Sequence, residues 1–423
     1  MEQLQGRGYR FPAFALTSGV AKKRLVGLVL MAVILGLFFT FNRLPKLDIV
    51  GGDLDAVSGP VVECFQGFCI ERDPDSSFVS RWVDFSVTYL RLVTIGMTFA
   101  FLMAGLAEAF LFPPGSRLWS GGGVIGRTLK GAALGPVMNL CSACIVPVSS
   151  ALKRSGAGIE GTIALVQGSS TMNIPALSMS ALIFAPLLGG SRVAMSVFGA
   201  LAIGPAVAWI ARRGSEHAEE EASEAARELQ DMVVGQDLAQ PWDEALREGF
   251  REFARSSVSY FVRLGPIMAA AGFASGLVIQ FIDPHKVGTL VGNDVGGVLI
   301  AATLGILINV PLMFEIPLVA LLLLLGMGVA PAAALLFAAA AGGPVTFWGL
   351  SRIMPMRAMA GFISLTWLVA VAGGLIVLVA ALSFPSVNWG FRPTDAATEY
   401  RAAERTNGPL WQALEEESLI PTE

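Results

Sequence analysis

Apolar runs of roughly twenty residues recur along the whole chain, the length a helix needs to cross about 30 Å of hydrocarbon. The first reads LVGLVLMAVILGLFFTF at 25–41, and the last falls at about 358–382. In lipid, backbone N–H and C=O groups must be satisfied within the protein, which restricts what such runs can become. Only 15% of the 423 residues are charged and 54% are hydrophobic, whereas soluble domains carry about 25% charged residues. The expected fold is all-α and polytopic. A formal charge of -4 argues against nucleic acid as a partner, and two histidines leave little for a His-built metal site. No cofactor is expected.

Charge orders the spans. Arg7, Arg10, Lys22, Lys23 and Arg24 precede the first run, which puts the amino end in the cytoplasm. Asn42-Arg43-Leu44-Pro45 follows it in place of a small-residue cleavage site, so this helix is read as retained. Residues 42–85 form a polar loop, expected outside, that carries Cys64 and Cys69. A local disulfide is the expectation there, with an exposed metal site as the alternative. A second span at 86–112 returns to a loop bearing Arg117, Arg127 and Lys130.

The segment 131–152 carries NLCSACIVP at 139–147 and ends at Lys153-Arg154. A full crossing would leave that basic end outside, so a re-entrant hairpin turning at the polar break is expected. The chain then crosses outward at 159–187, interrupted by QGSSTMNIP at 167–175. Gly189-Gly190-Ser191-Arg192 is read as a loop, and 193–211 as the span back to Arg212-Arg213.

The second half echoes the first at an offset near 170 residues. Ser257, Tyr260 and Arg263 answer Ser86, Tyr89 and Arg91. Gly305 and Asn309 answer Gly135 and Asn139, and Pro317, Gly326 and Gly328 answer Pro147, Gly156 and Gly158. Lys153-Arg154 has no charged counterpart in the second half, so the two halves are expected to be inverted, with their broken or re-entrant helical hairpins meeting near the midplane. Discontinuous helices in inverted repeats are a transporter architecture. The expected organisation is a helix and outside loop at 1–85, transmembrane repeats at 86–213 and 258–384, and a tail at 385–423, expected outside. A charged cytoplasmic linker at 214–257 joins the repeats.

The candidate chemistry lies at the breaks. Cys141 and Cys144 form a C-x-x-C pair, and thiolates suit soft metals or trivalent arsenic; both are also ordinary core residues. Asn139 and Asn309 either contact substrate or cap broken backbone. Gln167, Ser169, Ser170, Thr171 and Asn173, with Thr346 in the second half, could line a substrate site or satisfy loose carbonyls. Glu315 in NVPLMFEIP is a carboxyl group deep in an apolar run, the mark of a site or proton relay. An ion pair with Arg91 or Arg263 is its alternative. Glu108, near a span end, can reach the interface.

The run Cys141-Ser142, Pro147-Val148, Ala151-Leu152, Arg154, Gly156-Ala157, with Glu315-Ile316-Pro317 and Gly343-Pro344-Val345-Thr346 later, resembles a family of predicted permeases. That family includes organoarsenical efflux permeases and inferred copper/zinc exporters. The likeness covers about 85–385. It departs at Cys144, one place later than the C-S-C-G of the family, and at G-S-S-T-M-N in place of G-P-A-T-N. The resemblance implies a secondary transporter, not an enzyme, in a bacterial cytoplasmic membrane. Its partners would be the lipid bilayer and a small molecule or ion, and a homo-oligomer is compatible with it.

On this reading Cys141 and Cys144 bind a soft, thiol-reactive substrate for export, and Glu315 couples movement to protons. No nucleotide-binding motif is present. The rival readings are a transporter of a non-thiophilic ion or organic anion, and a membrane oxidoreductase using the C-x-x-C pair.

Overall fold

The structure, a computed structural model, describes residues 19–43, 64–65, 68–69, 77–112, 123–213, 241–280, 289–308, 314–324 and 326–391. Helix α1 (Gly19–Phe38) precedes two short antiparallel strands, β1 (Cys64–Phe65) and β2 (Phe68–Cys69). Their register sets Cys64 opposite Cys69. One helical pattern then occurs twice. In the first half it comprises α2 (Phe78–Leu106), α3 (Val124–Met138), short α4 (Val146–Leu152), α5 (Gly158–Thr171), short α6 (Ile174–Ile183) and α7 (Pro186–Arg212). In the second it comprises α8 (Trp242–Gln280), α9 (Val295–Leu307), short α10 (Glu315–Leu324), α11 (Val329–Ala341), short α12 (Pro344–Ser351) and α13 (Met356–Ser383).

Small residues explain the tight pairs inside each half. A Cβ added at Gly135 of α3 would lie 2.4 Å from the backbone of Gly168 in α5, and one at Gly131 would lie 2.2 Å from the Gly161 carbonyl. Between apolar helices such backbone approach is the main source of packing energy. The counterpart at Gly305 of α9 would meet the methyl of Ala338 in α11 at 2.5 Å. Each half turns between its two hairpin limbs at a glycine with positive φ, Gly156 at 92° and Gly326 at 94°. Only glycine takes that backbone without strain.

The halves exchange their short helices. α4 packs on α12 and α6 on α10, while α2 packs on α8 and α7 on α13. Lys153, just beyond α4, donates to the carbonyl of Ile353, just beyond α12. Three of the four short helices start at a break supplied with proline: Pro147, Pro175 and Pro344 sit in first turns, where a missing N–H costs nothing.

Three sequence-based boundaries are corrected. Ser77 caps α2, accepting from Ser80 N at 3.2 Å, so the helix starts before residue 86. Pro186 opens α7, and Gly189-Gly190-Ser191-Arg192 is helical, with no loop before residue 193. Gly189 fits there because its bare Cα faces the Ser180 carbonyl on α6. α8 runs unbroken from Trp242, so 242–257 belongs to a long helix; residues 214–240 of the expected linker lie outside the described residues. The start of the tail folds back, with Ala185 N donating to the Gly390 carbonyl at 2.8 Å; residues beyond 391 lie outside the described set. Among the described residues, six helical segments are long and apolar enough to cross a membrane. The chain is an all-α polytopic membrane protein.

Candidate substrate site

The first break is built from Asn139. It ends α3 in the left-handed region, at φ 51° and ψ 44°, a conformation asparagine tolerates better than most residues. Its side-chain oxygen accepts from Asn173 Nδ2, and Asn173 Oδ1 in turn caps α6 by accepting from Ala176 N at 3.1 Å. Ser169 closes the same joint from α5: its hydroxyl meets both the N–H and the carbonyl of Leu140, each at 3.0 Å. Ser170 and Thr171 turn back onto their own helix, bonding Val166 and Gln167 carbonyls at 2.9 and 2.7 Å. These three hydroxyls and Asn173 are engaged with protein backbone or with Asn139.

Gln167 reaches across to the second half. Its Nε2 donates to the Ala341 carbonyl at 3.3 Å, at the end of α11, and to Thr366 Oγ1 at 3.5 Å on α13. The break after α5 and the break after α11 therefore touch. Three buried atoms at these breaks have no hydrogen-bond partner among the described residues: Asn139 Nδ2, Gln167 Oε1 and Thr346 Oγ1. Buried polar atoms in that state are costly.

Cys141 and Cys144 lie in the turn between α3 and α4. Both are buried and joined as a disulfide with Cα atoms 5.0 Å apart. The turn brings the Cys144 N–H onto Cys141 Sγ at 3.1 Å. Asn309 lies outside the described residues. Among the described residues no cluster of three or more His, Cys, Asp or Glu side chains could hold a metal ion.

Glu315 opens α10 and is buried. Its partner is Arg192 on α7, whose Nη2 donates to Glu315 Oε1. Arg91 and Arg263, the partners considered from sequence, are both exposed. The Arg192 side chain is 0% exposed, and its Nε and Nη1 have no hydrogen-bond partner among the described residues. Glu108 accepts from Tyr260 on α8. A second buried carboxylate, Glu160 in the first turn of α5, takes Arg127 Nε at 2.5 Å and has Arg212 Nη2 at 3.9 Å.

Sequence reasoning missed Arg192 and Glu160. Arg192 was hidden by the Gly-Gly-Ser-Arg sequence, which has a turn's composition yet is helical once Pro186 starts the helix. Glu160 stands in an apolar run as Glu315 does, and the same rule would have found it.

A family model described as a predicted permease (ArsP_1) matches residues 85–379. The UPF0718 protein YraQ of Escherichia coli (strain K12) is 26% identical over 260 residues, 60% of this chain and 68% of that protein. No solved structure matches. A match over more than half of the chain, on a fold of membrane-crossing helices, places this protein in the predicted permease family.

Proposed function

We propose that this permease is a secondary transporter of a bacterial cytoplasmic membrane that exports a small soft substrate, such as a trivalent organoarsenical or a soft metal ion. The observation that carries the reading is the cysteine pair at the first break. Two sulfurs close enough to bond to one another can, when reduced, both bond to one thiophilic atom held between them. Thiolates favour such atoms over hard cations. The unpartnered amide and hydroxyl atoms of Asn139, Gln167 and Thr346 would supply the polar rest of the site. The exchange of short helices between the halves supports an inverted repeat with the site between them near the midplane, where one half rocks against the other. Glu315 would carry protons, leaving Arg192 when it is neutral.

Reduced wild-type protein in liposomes should move phenylarsenite, arsenite or copper(I), and Cys141→Ser should lower that flux at least ten-fold. Equal flux in the two proteins would remove the cysteines from the site. A non-thiophilic anion is the second reading, favoured by the two free nitrogens of Arg192.

A further inference from the structure

The Arg192–Glu315 pair is more than the fold requires. At the offset of 170 that relates the halves, Arg192 corresponds to Phe362 and Glu315 to Ile145. Arg192 and Phe362 are each the seventh residue of their helices, α7 and α13. Phe362 and Ile145 are both fully buried, and the Phe362 ring packs edge-on against Phe347. Matching positions thus carry buried apolar side chains in one half and a desolvated ion pair in the other. Apolar residues of similar volume usually serve stability as well as a buried ion pair or better. Packing therefore gives no reason for the charges.

The pair is also incomplete. A guanidinium has five N–H donors in a planar fork, suited to the oxygens of carboxylate or phosphate. Among the described residues only Nη2 has a partner, Glu315. Nε and Nη1 are buried on either side of it without one. Ser196, one turn along α7 on the same helix face, has a buried hydroxyl without a partner. So does Ser180 on α6, the short helix that packs on both α7 and α10. Its counterparts across the offset again differ: Thr366, matching Ser196, accepts from Gln167.

We propose that Arg192, with Ser196 and Ser180, forms a binding site for a small oxyanion, a carboxylate- or phosphate-like group, for which Glu315 is the resident competitor. The incoming oxygens would displace Glu315 from Nη2 and take that donor together with Nε or Nη1, the two edges of the guanidinium fork. Among the described residues, Arg192 is the charged group paired with Glu315. α6, α10 and α11 carry no other ionisable side chain, and the other arginine of α7, Arg212, lies at Glu160. Neutralising Glu315 therefore frees Arg192 without an alternative cation or anion taking over. This inference rests on the transport reading but not on the cysteines, so the two fail separately: Cys141→Ser tests the thiol role and leaves oxyanion binding untouched.

The test uses the full chain in detergent, with thermal unfolding followed against inorganic phosphate, benzoate and a chloride control. Saturable stabilisation by phosphate or benzoate is expected in the wild type. It should be at least ten-fold tighter in Glu315→Gln, where the competitor is gone. It should be absent in the double variant Arg192→Phe with Glu315→Ile, which copies the apolar counterpart and does not depend on an unpaired charge for folding. A response to phosphate alone identifies an inorganic-type ligand, and one to benzoate an organic acid. The proposal is overturned if neither probe stabilises wild type or Glu315→Gln beyond chloride. It is equally overturned if the apolar double variant responds as the wild type does.

Discussion

Corresponding positions in the halves of this molecule are buried with opposite chemistry. Phe362 on α13 and Ile145, just before α4, stand where Arg192 on α7 and Glu315 on α10 stand in the matching places. The apolar side is complete in itself. The charged side leaves two guanidinium nitrogens and two nearby-helix hydroxyls without partners. A fold made twice shows, in its apolar copy, what structure alone needs, and the excess in the other copy is where function is to be sought.

The comparison breaks most visibly if one charge is removed. Arg192→Phe alone strands Glu315 in an apolar core and should cost about 3–5 kcal/mol, read as a lowered unfolding midpoint and lost transport. Adding Glu315→Ile sharpens it: stability should return to within about 1 kcal/mol of wild type or exceed it, while transport stays absent. Recovery of transport in that double variant would make the ion pair a packing device after all. The rim pair at Glu160 supplies the smaller effects. Glu160→Gln leaves Arg127, which is 26% exposed and can hydrate, so the loss should be about 1–2 kcal/mol. Arg212→Ala removes a partner 3.9 Å away and 54% exposed, and should cost less than about 0.5 kcal/mol.

The breaks were legible because proline, asparagine and hydroxyl residues in an apolar run have one physical meaning: backbone that must be satisfied locally. Asn139 and Gln167 could be named on that ground, and Gly156 and Gly326 by their matching places in the two halves; the structure places them at turns or contacts between elements. The partner of Glu315 was not legible. Arg192 is 123 positions away, and its neighbours have the composition of a surface loop. Whether a Gly-Gly pair is a turn or a helix pressed close to its neighbour depends on what lies across from it. For Gly189 that is α6, which is a fact of tertiary structure.

The bare backbone contact between α3 and α5 has a mechanical consequence. With no side chain between Gly135 and Gly168 there is no compliant layer to slide or compress. The two helices are keyed to each other at two levels, and the polar joint of Ser169 with Leu140 locks their ends. Any stroke that opened one face of this protein and closed the other would carry α3 and α5 together as a single lever. Its pivot then belongs at the joints the lever leaves free, beginning with the left-handed turn at Gly156.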